Sequence, residues 1–202
     1  MLPFRPIVVF FVKLLLIYGL LAWPWSFVRR GYAVAYGAVA SAVFGSFGPG
    51  GEVRFEPLPI GAPVDTELVL RKRGSSAVGK SPHNARFMGY LATAEVIALI
   101  LATPIGWRRR FMALLWGMLL VHAFIYLRLE IMLLHWYSGE PALAIYQPST
   151  FWGKALAKAF ELTSVSLTPT FMAPIFIWIL ATFRRADLDR WRADRPAASS
   201  AR

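Results

Sequence analysis

The stretch LLWGMLLVHAFIYLRLEIMLLHWY, residues 114–137, is long and apolar enough to cross a lipid bilayer, yet it carries four ionisable side chains. A helix needs about 20 mostly apolar residues to cross the hydrocarbon core. An ionisable side chain at the centre of such a helix costs at least about 2.5 kcal/mol, so it usually faces a partner, a cavity or the interface. The stretch therefore predicts a membrane-spanning helix with four polar side chains to explain: His122, Arg128, Glu130 and His135.

The composition of the whole chain also indicates a membrane protein. The chain has 202 residues, of which 57% are hydrophobic and 16% charged, and its mean hydropathy is +0.51. The formal net charge of +11 comes from Arg and Lys residues at the ends of apolar runs and beside aromatic residues. This placement is typical of a lipid surface rather than of a nucleic-acid interface. Cysteine is absent, which excludes disulfides, cysteine metal sites and thiol nucleophiles.

Four segments predict membrane-spanning helices. Three runs contain about 18 or more predominantly apolar residues, and FMAPIFIWILATF reaches that length when it includes the preceding LTSVSLTPT. We therefore expect an all-α integral membrane protein, a single membrane domain built as a four-helix transmembrane bundle. The predicted spans are residues 7–28, 87–105, 111–136 and 167–183.

Basic residues in short loops set the expected orientation. The turn PIGWRRRF between the second and third spans contains Arg108, Arg109 and Arg110, the densest basic cluster on any short loop. We expect this turn, the N-terminus and the tail 184–202 to face the cytoplasm, and the insert 29–86 to lie outside. This arrangement predicts a multi-pass membrane protein with a cytoplasmic C-terminus.

The insert 29–86 is expected to hold a surface helix and a short β-hairpin. GYAVAYGAVASAVFGSFG, residues 31–48, consists mostly of small residues and places its larger side chains near one helical face, which favours a helix on the outer surface. A fifth span here, or cleavage of a signal peptide before Tyr36, are the alternatives. VRFEPLP and TELVLRKR alternate apolar and polar residues around a Pro/Gly-rich turn, the pattern of two paired strands.

Depth separates the polar side chains of the predicted spans. At 1.5 Å per residue from Phe111, His122 lies about 16 Å and Arg128 about 25 Å into a hydrocarbon core about 30 Å thick. Glu95, on the second span, lies about 12 Å below the outer surface. A carboxylate at that depth must be protonated or paired with a cation. The nearest cation at a similar depth is Arg128.

Helical angle adds His135 to this group. Arg128 and His135 are seven residues apart and lie on one face, whereas Glu130 points about 160° away from Arg128. We therefore expect a polar cluster of Glu95, Arg128 and His135, with His122 as a further candidate, that binds a partner or forms a structural ion pair. The alternative is that Arg128 reaches the outer headgroups and that His135 and Glu130 lie in the interface.

Residues 84–135 contain two spans joined by a short Arg-rich turn, with Arg128 in FIYLRLE near the outer face. This arrangement resembles the exosortase and archaeosortase group of integral membrane transpeptidases. The family's proposed catalytic set is a Cys at the outer start of one span, the Arg of an N-x-x-R motif on the next, and a later His. Arg128 matches the Arg and His135 is a candidate for the His, but Ile125 replaces the Asn and no Cys is present. The family's covalent mechanism therefore cannot run here.

A larger part of the chain is similar to the exosortase H-associated membrane protein family. The similarity lies in FGSFGPGGEVRFEPLP, DTELVL, ARFMGYLATAEVIALILATPIGWRRR and PIFIWILATFRR. The similarity implies a small multi-pass protein of the bacterial inner (cytoplasmic) membrane that accompanies an exosortase. An exosortase is an enzyme that processes C-terminal sorting signals on exported proteins. The family carries no assigned chemistry.

These observations favour a non-catalytic membrane accessory protein of an exosortase-type protein-sorting system, which binds the sorting enzyme or its exported substrate. The expected partners are the lipid bilayer and an exosortase-like membrane protein, with no nucleic acid, cofactor or metal. Two alternatives remain: a small transporter or proton path, and a membrane-embedded hydrolase or transferase that uses a non-Cys nucleophile. The groups available to such an enzyme are Thr93, Glu95, His122 and Arg128. The oligomeric state stays open.

Overall fold

The computed structural model describes residues 4–183; the predicted tail 184–202 lies outside this range. The helices in the described range are α1 (Phe4–Ala22), α2 (Trp25–Phe44), α3 (Leu91–Ala102), α4 (Trp107–Gly139), α5 (Thr150–Phe160) and α6 (Thr168–Thr182). Two π-helical turns, Arg86–Tyr90 and Glu161–Val165, precede α3 and α6. The strands are β1 (Ser46–Phe47), β2 (Gly51–Pro57), β3 (Thr66–Lys72) and β4 (Val78–His83).

The four strands form one antiparallel sheet in the order β1-β2-β3-β4, so β4 lies at one edge. β2 and β3 occupy the two segments whose alternation predicts strands, and Val53 pairs with Leu70 and Phe55 with Leu68. These four side chains are buried, whereas Arg54 between them is exposed. The alternation in β2 therefore follows the covered face of the sheet, whereas in β3 Val69, which pairs with Arg54 on the other face, is buried as well.

Helix α2 packs against the sheet beside β2. The Phe55 N–H donates a hydrogen bond to Ser41 Oγ at 3.1 Å. A Cβ atom at Gly37 would lie 2.8 Å from the Phe55 carbonyl oxygen, so this close approach requires glycine. Most of the segment 31–48 thus belongs to a helix that begins at Trp25 and ends at Phe44, and its last residues include β1.

Helices α1, α4 and α6 pack around α3. The contact between α3 and α4 is close at Gly117, where an added Cβ would lie 2.7 Å from Ile100 Cδ1 and 3.0 Å from Val96 Cγ1. Phe10 of α1 stacks on Trp178 of α6 with ring centres 5.7 Å apart. These contacts join the N-terminal helix to the end of the described chain.

The predicted all-α, four-helix transmembrane bundle is wrong. The fold contains a four-stranded sheet, and within residues 4–183 only α1 and α4 are by themselves long and apolar enough to span a membrane. α3 has 12 residues and α6 has 15, or about 18 and 23 Å at 1.5 Å per residue, against a core about 30 Å thick. A third span would require Thr150–Ser164 and Thr168–Thr182 to act together across a bend of 81°.

The predicted spans 7–28 and 87–105 run past helix ends because apolar composition does not show where a helix ends, whereas 111–136 lies within α4. The segment 7–28 includes a break at Pro24 between α1 and α2, and 87–105 includes a π-helical turn and a loop that contains Pro104. Proline lacks the N–H that a helix needs and disfavours helical geometry at the residue before it. Runs of similar hydropathy are therefore divided into shorter elements.

Tyr137, near the end of α4, joins the helices to the sheet. Its side chain is fully buried and stacks on Phe47, with ring centres 5.5 Å apart. Its hydroxyl lies 2.8 Å from the Glu52 carbonyl oxygen and 3.0 Å from that of Arg71, on β2 and β3. The sheet is thus held at the C-terminal end of α4, opposite the Arg-rich turn at its N-terminal end.

Candidate functional site

Arg128 lies on α4 close to the sheet and is 2% exposed. Its Nε donates a hydrogen bond of 2.7 Å to the Thr163 carbonyl oxygen in the second π-helical turn. Its Nη1 donates to Thr170 Oγ1 on α6 at 3.2 Å. Arg128 therefore connects α4 to both halves of the bent segment formed by α5 and α6.

A second layer of contacts fixes the guanidinium group. The Thr170 hydroxyl donates onward to the Phe87 carbonyl oxygen at 3.1 Å, which links this network to the turn before α3. The Arg128 guanidinium carbon also lies 5.6 Å from the centre of the Phe124 ring, within the range of a cation–π contact. Arg128 is therefore held in place by neutral groups.

No carboxylate within residues 4–183 forms an ion pair with Arg128; the ion pairs found there involve Glu52, Glu67 and Glu161. A guanidinium has five N–H donors, and two of those of Arg128 have hydrogen-bond partners in this range. Removing an arginine from water without a counterion is unfavourable. The unused donors are therefore available to an anionic group from elsewhere.

The Arg128 side chain lines a cavity of about 240 Å³ beneath the end of β4. Polar groups enter it from Ser81, His83, Asn84 and Ser164, and the Ser164 hydroxyl is buried with no hydrogen-bond partner within residues 4–183. The remaining walls are mainly apolar: Pro82, Phe87, Met88, Met132, Trp136, Phe160 and Leu167. The cavity therefore combines one unneutralised cation with apolar surroundings.

His83, the last residue of β4, is held as a neutral imidazole in the wall of this cavity. Its Nε2 lies 2.9 Å from the Tyr36 hydroxyl, and the two rings stack with centres 5.6 Å apart. Burial, with a smaller effect of the Arg128 charge, lowers the pKa of His83 to about 4. Arg128 therefore supplies the positive charge of the site at neutral pH.

Asp65 holds the cavity's backbone in place. Its Oδ1 accepts a hydrogen bond from the Ala85 N–H at 2.8 Å and its Oδ2 accepts one from the Arg86 N–H at 3.2 Å. The Thr66 hydroxyl donates to Oδ1 at 3.0 Å. The carboxylate is thus bonded to the start of the turn after β4, which positions His83 and the residues that follow it.

The structure places the predicted site residues in separate surroundings. Glu95 is half-buried on α3 near Tyr18 of α1, and its Oε2 has no hydrogen-bond partner within residues 4–183. His122 is exposed on α4, with Nδ1 2.8 Å from the Met118 carbonyl oxygen. No hydrogen bond or ion pair in the described range joins Arg128 to Glu95 or His122. Of these residues, Arg128 belongs to the cavity.

His135 lies beside the cavity without lining it. Its ring stacks on Phe160, which does line the cavity, with centres 4.2 Å apart and an angle of 9° between the planes. Glu130 is exposed on α4. His135 therefore supports a wall of the site through Phe160.

Several residues of the cavity carry no signal in the sequence. In the sequence, His83 and Asn84 follow the polar run GSSAVGKSP, and Ser164 lies in a mildly polar run before α6. They meet Arg128 only because the sheet and the second π-helical turn fold over the same part of α4. Among the described residues, no three His, Asp or Glu side chains come close enough to hold a metal ion.

Comparison with known proteins identified no relative of this chain. No family model matches it, and no significant match was found among the curated proteins or the solved structures.

Proposed function

We propose that this protein is a non-catalytic accessory protein of an exosortase-type sorting system in the bacterial inner (cytoplasmic) membrane, which binds the sorting enzyme or its exported substrate. One observation carries the proposal: Arg128 is buried without a carboxylate partner in the described chain and lines a cavity with apolar walls. A partner that brings an anionic group to this cavity would supply the missing counterion.

The surfaces of α1 and α4 support a membrane anchor. The spanning window of α1 has no buried residue, and its exposed side chains include Phe11, Leu15 and Leu16. On α4, Phe111, Leu115 and further large apolar residues are exposed in the half remote from the sheet. A surface of this kind is stable in contact with lipid tails.

The Arg-rich turn supports an orientation with the sheet outside. Arg108, Arg109 and Arg110 lie in the first turn of α4, and short basic segments between spans remain on the cytoplasmic side. The sheet is fixed to the opposite end of this helix by Tyr137. Arg128 then lies about 25 Å along the helix from Phe111, near the outer boundary of a core about 30 Å thick. The cavity would therefore face exported proteins.

Binding is favoured over catalysis by the chemistry of the cavity. The chain has no Cys. The Ser164 hydroxyl has no hydrogen-bond partner in the described range, so no base there is placed to activate it. His83 Nε2 is engaged with the Tyr36 hydroxyl. The groups present can hold an anion, but they do not form a nucleophile and base pair.

Co-purification from native membranes tests the proposal. Wild-type protein, solubilised in a mild detergent, should retain a membrane protein with the Cys, Arg and His of a sorting enzyme, or an exported protein with a C-terminal sorting signal, identified by mass spectrometry. Arg128→Gln should reduce recovery of that partner at least tenfold. Arg54→Gln, which removes an exposed arginine from the outer face of the sheet, is the matched control.

Two results would contradict the proposal. One is wild-type protein that purifies from its native host with no sorting enzyme and no exported substrate. The other is equal recovery of the partner with wild type and Arg128→Gln, since binding would then not depend on the cavity.

A further inference from the structure

A second cavity continues the first one along β4. It has a volume of about 230 Å³ and shares Ser81 and Trp136 with the cavity at Arg128. Its lining includes every residue from 77 to 81, and the lining of the first cavity includes every residue from 81 to 84. Successive side chains of a strand point to opposite faces. An unbroken run of lining residues therefore means that the main-chain edge of β4 faces both cavities.

This edge is free to pair with another strand. Within residues 4–183, β4 is the last strand of the sheet and pairs with β3 alone. Pro82 has no N–H, and proline in a sheet occupies positions whose N–H would point away from the ladder. Because the pairing groups of an antiparallel strand alternate, Val78 and Lys80 also direct their N–H and C=O groups outward. The Lys80 side chain forms an ion pair with Glu67 on β3, with 2.7 Å between Nζ and Oε2.

The opposite wall is one stripe of α4. Arg128, Met132 and Trp136 are spaced four residues apart and lie on one side of the helix. Glu140, directly after the end of α4, continues this line, and each of the four residues lines at least one of the two cavities. From Arg128 to Glu140 the stripe is about 18 Å long, the length of about five residues of extended chain. We call the space between β4 and this stripe the β4 groove.

The charges along the β4 groove differ at its two ends. Arg128, with no ion-pair partner in the described residues, lies at the inner end, and Glu140 lines the outer end. Between them the walls include Met132 and Trp136. An extended peptide with a carboxylate at one end and apolar side chains behind it is complementary to this arrangement.

We infer that the β4 groove binds an extended peptide as a fifth strand of the sheet, with a peptide carboxylate on the Arg128 guanidinium. The inference rests on the proposed function and names the class of ligand that the site takes. Main-chain hydrogen bonds to Val78 and Lys80 supply binding that depends little on sequence, and Arg128 supplies the preference for an acid. The protein thus binds an extended peptide segment that carries a carboxylate, near the membrane surface.

A binding assay with a defined peptide tests this inference. The probe is fluorescein-labelled Ser-Val-Thr-Val-Ala with a free C-terminal carboxylate, and the full chain is reconstituted in phosphatidylcholine nanodiscs. Fluorescence anisotropy should show saturable binding that empty nanodiscs lack. The C-terminal amide of the same peptide should bind at least tenfold more weakly. Arg128→Gln should remove this difference between acid and amide, and Arg54→Gln should preserve it.

Strand pairing is tested from both sides of the contact. Two series of peptides are compared, one N-methylated at the odd-numbered amides and one at the even-numbered amides. The series whose methylated amides face β4 should bind at least tenfold more weakly, and the other series should bind almost as well as the unmodified peptide. Lys80→Pro should weaken binding because it removes an outward N–H, while Lys80→Gln, which removes only the ion pair with Glu67, should not. The N-methyl peptides leave the protein unchanged, so their result stands even if Lys80→Pro fails to fold.

Any of three binding results would overturn the inference: no binding of the acid peptide, equal binding of acid and amide, or equal binding of both N-methyl series. Native mass spectra in which wild type, but not Arg128→Gln, retains phosphatidylglycerol and takes up no peptide would also overturn it, because the cavity would then hold a lipid headgroup. Peptide binding without a sorting partner would refute the proposed function alone. A sorting partner that depends on Arg128, without peptide binding, would refute this inference alone.

Discussion

The two halves of α4 are comparably apolar but have different surroundings. The N-terminal half buries a single line of residues, one every fourth position: Ala113, Gly117, Val121 and Ile125. The C-terminal half buries a wider face that contacts the sheet, α6 and the turn before α3: Arg128, Leu129, Met132, Leu133 and Tyr137. The first half therefore leaves most of its side chains exposed, whereas the second is surrounded by protein. The buried charge of Arg128 lies in the half that other protein groups surround.

The largest expected effect compares one aromatic residue from each half. Tyr137→Ala should lower the free energy of unfolding by about 3–5 kcal/mol, because it leaves a cavity and removes the hydroxyl that bonds to β2 and β3. Trp116→Ala should change it by less than about 0.5 kcal/mol, because Trp116 is exposed. SDS titration followed by circular dichroism measures both. Equal losses would show that the two halves are equally packed.

A fall in pH should lower the free energy of unfolding through His83, which lies at the cavity beside the C-terminal half of α4. The pKa of His83 is about 4 in the fold against about 6.5 in an unfolded chain. Between pH 6.5 and 4 the unfolded chain binds a proton that the folded protein does not, so stability is present above pH 6.5 and is lost as pH falls toward 4. The full loss is about 3 kcal/mol, from 1.36 kcal/mol per pKa unit.

The measurement for His83 is the free energy of unfolding of wild type and His83→Gln from pH 7 to pH 4. The variant should have a shallower decline over this interval, because Gln does not titrate. Parallel curves would show that His83 is protonated in the fold near its ordinary pKa.

Packing in the N-terminal half of α4 depends on a small residue. Gly117→Leu should lower the free energy of unfolding by about 1–3 kcal/mol, because even its Cβ would lie 2.7 Å from Ile100 Cδ1. Gly19→Leu on α1 is the control, since a Cβ there meets no atom within 4 Å. The same SDS titration compares the two. A loss as large at Gly19 would mean that leucine is poorly tolerated in either helix regardless of contacts.

The smallest expected effect on stability is that of Arg128→Gln. Removal of the charge relieves its desolvation, and the Gln amide retains a donor for the Thr163 carbonyl oxygen, so the free energy of unfolding should change by no more than about 1 kcal/mol. Recovery of the sorting partner should nevertheless fall, as proposed above. A loss of about 3–5 kcal/mol would indicate that Arg128 is one member of a structural ion pair.

Hydropathy and spacing predict part of this fold and part of its site. The apolar helices near residues 7–28 and 111–136 and the strand segments around Val53 and Leu70 follow from composition and alternation. β4 does not, since GKSPH has no apolar alternation, and its strand forms by pairing with β3. Arg128 is noticeable in the sequence because it interrupts an apolar run, whereas Ser164 and His83 are ordinary loop residues until the chain folds.

The sequence by itself determined that α1 and α4 are apolar helices and that Arg128 within α4 requires a partner, because burial of apolar surface and the cost of an unpaired charge depend on residue type. Only the tertiary structure decided what surrounds Arg128. Depth and angle along one helix favoured Glu95, but hydrogen bonds go to Thr163 and Thr170 instead. Which groups contact Arg128 depends on how separate elements pack over α4. The position of a residue along one helix contains no information on that packing.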